Sequence, residues 1–68
     1  MNNYYHIEYQ IEDEEPTSDT IKAKSEKDAI KKLEDKLRKF YVKDMYTTDE
    51  VASEIVESLS ILELRLID

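Results

Sequence analysis

The chain has 68 residues, 17 of them Asp or Glu against 10 Lys or Arg, a formal charge of −7, and contains neither Cys nor Gly. A chain this short makes one domain, residues 1–68, and folding buries only about 60% of the surface the unfolded chain exposes. The composition excludes a disulfide, a thiolate zinc site and a phosphate-cradling glycine loop. Tight packing or self-association is left as reinforcement, and we expect a homodimer.

Charge is blocked along the chain. Residues 1–21 hold six acids and no Lys or Arg, residues 22–43 hold nine of the ten bases against four acids, and residues 44–68 hold seven acids against Arg65 alone. The start, MNNYYHIEYQ, lacks the basic and apolar regions of a signal peptide. The apolar run near the C-terminus is interrupted by Glu63 and Arg65, well short of the roughly 20 residues that span a bilayer. No membrane segment and a cytoplasmic location are therefore expected, in keeping with the absence of Cys.

Tyr5, Ile7, Tyr9 and Ile11 alternate with His6, Glu8, Gln10 and Glu12, the period of a half-buried first strand. Turn-forming residues follow from Asp13 to Ser18, including Pro16, which cannot donate to a ladder. Asp19 to Lys24 reads as the return strand, with Ile21 and Ala23 facing one way. Since the chain lacks Gly, turns that need positive φ are expected to use Asn or Asp.

Ser25-Glu26-Lys27-Asp28 has the spacing of a capping box with Asp in the usual Glu position, so a helix should begin at Glu26. Ala29, Ile30, Leu33, Leu37, Phe40 and Tyr41 form its apolar stripe, and the pattern fades between Val42 and Tyr46. Asp28 with Lys32 and Asp35 with Lys39 are spaced for intrahelical pairs. Thr47-Thr48-Asp49-Glu50 offers a second capping box with Thr47 as cap, followed by a helical stripe of Val51, Ala52, Ile55, Val56 and Leu59. A strand reading of residues 49–59 would group Val51, Ile55 and Leu59 on one face but with Ser53 and Glu57 between them, so a helix is expected.

From Ser60 to Ile67 alternation returns, with Leu62, Leu64 and Leu66 on one face and Ile61, Glu63, Arg65 and Ile67 on the other. Both faces are partly apolar, which suggests a central strand or an edge covered by a second subunit. The expected fold is α+β: a small two-layer sandwich of order β-β-α-α-β, with a three-stranded sheet packed on two helices. Its expected core comprises the strand residues Tyr5, Ile7, Tyr9, Ile11, Leu62, Leu64 and Leu66 and the helical residues Ile30, Leu33, Leu37, Val51, Ile55 and Leu59.

Little in the sequence points to catalysis or cofactor binding. His6 is the one histidine, on the strand face assigned to solvent, and neither Ser nor Thr has a Cys or second His to activate it. A domain of this size also leaves little room for a pocket that would shift carboxylate pKa values. No catalytic residue, metal site or cofactor is expected, and the chain reads as a non-enzymatic protein. The lysines of the first helix could track a phosphate backbone, but the net charge opposes direct nucleic-acid binding and four acids dilute the patch.

The acids Glu12, Asp13, Glu14, Glu15 and Asp19, with Glu50, Glu54 and Glu57 on the second helix, are the candidate partner-binding residues. Carboxylates four apart on a helix rise about 6 Å, of the order of phosphate spacing along a nucleic-acid strand. In size, charge and composition, and in the stretches IEDEEPTSD and TTDEVASEIVES, the chain resembles the small acidic host-takeover proteins of bacteriophages, some of which mimic DNA. That resemblance implies an inhibitor acting in the host cytoplasm. Its partner would be a basic DNA-binding host protein, such as a nucleoid-associated protein, a polymerase or a repair enzyme, whose DNA-binding surface it occupies. The alternative is a small homodimeric interaction or assembly module whose acids only confer solubility.

Overall fold

The computed structural model describes residues 3–12 and 14–67. Two strands, β1 (Asn3–Ile11) and β2 (Thr17–Ala23), precede two helices, α1 (Glu26–Lys43) and α2 (Asp49–Glu57), and β3 (Leu59–Leu66) closes the order β-β-α-α-β. The sheet is antiparallel with strand order β2-β1-β3, and a single apolar core joins it to the helices.

The alternation of β1 sets this arrangement. Tyr5, Ile7, Tyr9 and Ile11 are all buried, and Ile7 is completely so. β1 pairs on both sides, with Tyr5 opposite Ile21 of β2 and Leu66 of β3. The central strand is therefore β1, and β3 lies at an edge. A bulge explains why β3 looks two-sided in sequence. Glu8 pairs with Glu63 and Tyr9 with Ile61, so Leu62 is an extra residue in the ladder. Ile61 and Leu59 thereby share the core side with their partners Tyr9 and Ile11, correcting the face assigned to Ile61 by simple alternation.

Ser25 caps α1 as expected, its Oγ accepting from the Asp28 N–H at 3.2 Å, while Asp28 Oδ2 accepts from the Lys24 N–H at 3.1 Å. That backbone donor, with the Lys32 ammonium adding to it, holds the Asp28 carboxyl below its ordinary pKa. The helix buries Ala29, Leu33, Leu37 and Tyr41 and persists to Lys43, beyond the fading of its sequence pattern. Tyr41 and the Phe40 ring meet edge to face, with centroids 5.4 Å apart. Helix α2 is capped by Thr48, one residue later than expected, with Thr48 Oγ1 accepting from the Val51 N–H at 3.2 Å. The shift follows from the connection: Thr47 donates its N–H to the Tyr41 carbonyl at 3.1 Å, tying that residue to the end of α1.

Both positive-φ residues among those described are neither Asn nor Asp: Glu12 at 52° and Tyr46 at 56°. Each occupies left-handed space that a residue with a Cβ enters at roughly 1–2 kcal/mol. The core also departs from expectation. Ile30, Ile55, Leu59 and Leu64 are half-buried, Val51 is exposed, and Leu62 and Leu66 are 49% and 57% exposed. Ile21, Ala23, Ala29, Tyr41, Ala52 and Val56 are buried alongside the strand residues. The reason is placement: α1 packs across β2, where Ala23 and Ala29 permit close approach, and α2 packs on α1. Among the described residues no helix is long and apolar enough to cross a membrane.

Two stability measurements check this packing. By urea denaturation, Leu33→Ala should cost about 2–5 kcal/mol, and Ile30→Ala less than half as much, because Leu33 is fully buried and Ile30 is not. Tyr46→Asn should raise stability by up to about 1 kcal/mol, since the Tyr46 side chain is 91% exposed and Asn tolerates its backbone conformation.

Candidate acidic binding surface

The hairpin loop between β1 and β2 holds its shape through backbone groups. Glu14 donates its N–H to the Ile11 carbonyl at 3.1 Å, and Gln10 Nε2 donates to the Glu14 carbonyl at 2.8 Å. The side chains of Glu12, Glu14 and Glu15 are thereby free of the loop's own bonding and exposed. Asp13 lies outside the described residues.

Asp19 is placed differently from the other candidates. It stands opposite Ile7, half-buried, and accepts from the Tyr9 hydroxyl at 2.9 Å and from Lys36 Nζ at 3.1 Å. Burial first, and then this carboxylate, push the Tyr9 phenol well above the ordinary tyrosine range. Tyr41 is also raised, by burial and then by the charges of Glu14 and Glu12. The final turn of α1 therefore lies at the hairpin end of the molecule.

On α2, Glu50, Glu54 and Glu57 are all exposed, as are Val51 and Ser58, while Ala52 and Val56 face the core. Helical spacing puts Glu54 beside both of the other two, so the carboxylates repel one another. Glu57 adds a second penalty. It occupies the last turn of a helix with no basic residue there, against the negative end of the macrodipole. Because β3 begins directly after α2, with Leu59 opposite Ile11, Glu57 also sits toward the hairpin end.

The ion pairs use other acids. Lys32 meets Asp28 at 3.4 Å, Lys36 meets Asp19 at 3.1 Å and Arg38 meets Asp35 at 3.0 Å. Asp35 pairs with Arg38, one residue nearer than the expected Lys39. Among the described residues, none of Glu12, Glu14, Glu15, Glu50, Glu54 or Glu57 takes part in an ion pair. Sequence reading grouped Asp19 with these six because spacing cannot show that Lys36, 17 positions on, folds back over it.

His6 lies half-buried on the open sheet face between Thr20 and Arg65. No group of three or more His, Cys, Asp or Glu side chains is arranged to hold a metal among the described residues. Two open concavities of about 430 and 520 Å³ flank α1, and both mix acids with bases: Asp35 and Arg38 line the two of them. Compared with known proteins, the chain matches no family model, no curated protein and no solved structure.

Burial of Tyr9, reinforced by its bond to Asp19, has a measurable consequence. Above pH about 10 the unfolded chain releases tyrosine protons that folded Tyr9 retains. Stability from this source is therefore fully present below pH about 10 and falls as pH rises further. Denaturant midpoints followed from pH 8 to 12 should decline on the alkaline side, and Tyr9→Phe should flatten that decline.

Proposed function

We propose that the protein is a non-enzymatic binder that presents the carboxylates of α2 and of the β1–β2 loop to a basic, DNA-binding partner and competes there with nucleic acid. The observation that carries this reading is the treatment of the α2 acids. Among the described residues the three ion pairs take up Asp19, Asp28 and Asp35, while Glu50, Glu54 and Glu57 are exposed and take part in none. Glu57 additionally opposes its helix dipole. Asp49 and Glu50 suit the positive end of the helix, but repulsion along Glu50, Glu54 and Glu57 and the position of Glu57 weaken a nine-residue helix that is already short for independent stability. A row of carboxylates that lowers folding stability is readily understood if a cationic partner neutralises it.

The geometry supports mimicry of a phosphate row. Glu50 and Glu54 are one turn apart on a helix, with a rise of about 6 Å, and their backbone is held by the Thr48 cap and by burial of Ala52 and Val56. The lysines on the β2 side of α1 stay exposed but are paired at the surface, Lys32 with the Lys22 carbonyl and Lys36 with Asp19, so part of the basic segment already has partners in the chain itself. Carboxylates steer a basic partner at long range and lose that influence as salt shortens the screening length from about 10 Å at 0.1 M to about 3 Å at 1 M.

The test pairs binding with stability. Immobilised protein should capture basic DNA-binding proteins from a bacterial lysate and release them to duplex DNA or to added salt. The combined change Glu50→Gln, Glu54→Gln, Glu57→Gln should abolish capture, and Glu57→Gln alone should raise folding stability by a few tenths of a kcal/mol. Capture that resists both DNA and the neutral variants would assign the acids to solubility alone.

A further inference from the structure

The two edges of the sheet are finished differently. On β2, Thr17, Ser18, Thr20 and Lys22 are exposed polar side chains, and Lys32 Nζ donates to the Lys22 carbonyl at 3.1 Å. Polar residues and lysines of this kind blunt an edge against further strands. β3 exposes the polar residues Ser60, Glu63 and Arg65 as well, but sets them among apolar side chains. Its sequence is LSILELRL, and it exposes Ile61, Leu62 and Leu66, with Ile67 beyond them 48% exposed.

The backbone of β3 is oriented for another strand. Ile67 donates its N–H to the Tyr4 carbonyl at 2.9 Å, and the alternation of an antiparallel ladder then turns Glu63 and Arg65 toward β1. Leu64 and Leu66 turn their N–H and C=O groups to the free edge. This places unpaired backbone groups among apolar side chains, the combination that recruits a further strand.

We propose that this edge pairs with the same strand of a second copy, antiparallel about a two-fold axis through Leu64, so that two three-stranded sheets become one of six strands. Charge selects both the occupant and the register. Residues that turn toward the free edge must pair with residues that do the same, so a symmetric ladder faces one residue with itself. Centring on Glu63 or Arg65 sets like charges opposite each other. Centring on Leu62 puts the axis on the bulge, and centring on Leu66 leaves little strand to overlap. With Leu64 at the axis, Glu63 of each copy faces Arg65 of the other, and Leu62 faces Leu66.

A feature of the single chain favours the same register. Glu8 and Glu63 stand directly opposite each other on the open sheet face, an unfavourable cross-strand pair. The axis through Leu64 brings Arg65 of the second copy beside Glu63, completing a row of two acids and a base across three strands. The pairing uses neither the hairpin loop nor the α2 acids, and so stands independently of the function proposed above.

Sedimentation equilibrium of the full chain across micromolar concentrations tests the pairing. The wild type should dimerise. Glu63→Arg and Arg65→Glu, each of which turns both cross-copy pairs from attractive to repulsive, should weaken self-association by about tenfold or more. The double variant E63R/R65E should restore it, and an equimolar mixture of the two single variants should form a heterodimer. Circular dichroism verifies that each variant is folded, since both positions are exposed. A wild type that stays monomeric would overturn the proposal and leave the edge to a strand of another protein. A dimer indifferent to these charge changes would overturn it equally, placing the interface elsewhere.

Discussion

Ile7 lies at the centre of the middle strand, fully buried, with a hydrogen-bonded neighbour on each side of its backbone. Burying the β1 face on which it lies is the constraint from which the remaining packing follows. A strand of nine residues is about 30 Å long and a helix of 18 residues about 27 Å, so α1 matches β1 in length while its backbone runs closest to β2. Leu33, fully buried on α1, closes the core from the helix side. The small side chains of Ala23 and Ala29 draw the helix toward β2, and that displacement decides what is left open.

Helix α2 does not make up the difference. Its nine residues span about 13 Å, against about 27 Å for the eight-residue strand β3. Leu59 and Leu64 still reach the core in part, but Ile61, Leu62 and Leu66 remain in contact with solvent. The exposed edge is thus a geometric consequence of one long helix placed off-centre and one short helix beside it. A solvent-facing strand of this composition is an aggregation hazard for a monomer, and the self-complementary placement of Glu63 and Arg65 offers a way to close it in a finite dimer.

Electrostatics divide along the same line. Lysines on the β2 side of α1 are held at the surface by Asp19, Asp28 and a backbone carbonyl, so part of the positive charge has partners within the chain. Among the described residues, Glu12, Glu14 and Glu15 of the hairpin loop and Glu50, Glu54 and Glu57 of α2 take part in no ion pair. Buried Tyr9 joins these two themes: its ring fills the core while its hydroxyl binds Asp19, which in turn anchors Lys36. One carboxylate in the acidic N-terminal segment is therefore structural, and the described acids of the loop form an exposed group beside it.

Local pattern in the sequence sufficed for the element order, the start of α1 at the Ser25 cap, the buried side of β1 and the exposure of the described loop and α2 glutamates. Each depends on periods of two or 3.6 residues or on a side chain bonding three residues away, and such interactions are complete within a short segment. The tertiary structure alone decided the rest. Strand order, the bulge at Leu62, the inward role of Asp19 and the exposure of Leu62 and Leu66 arise from pairings between distant segments. Alternation in β3 specifies two faces but not which neighbour covers them. That depends on how far α1 slides toward β2 and how little α2 can reach, neither of which is recorded in the strand's own residues.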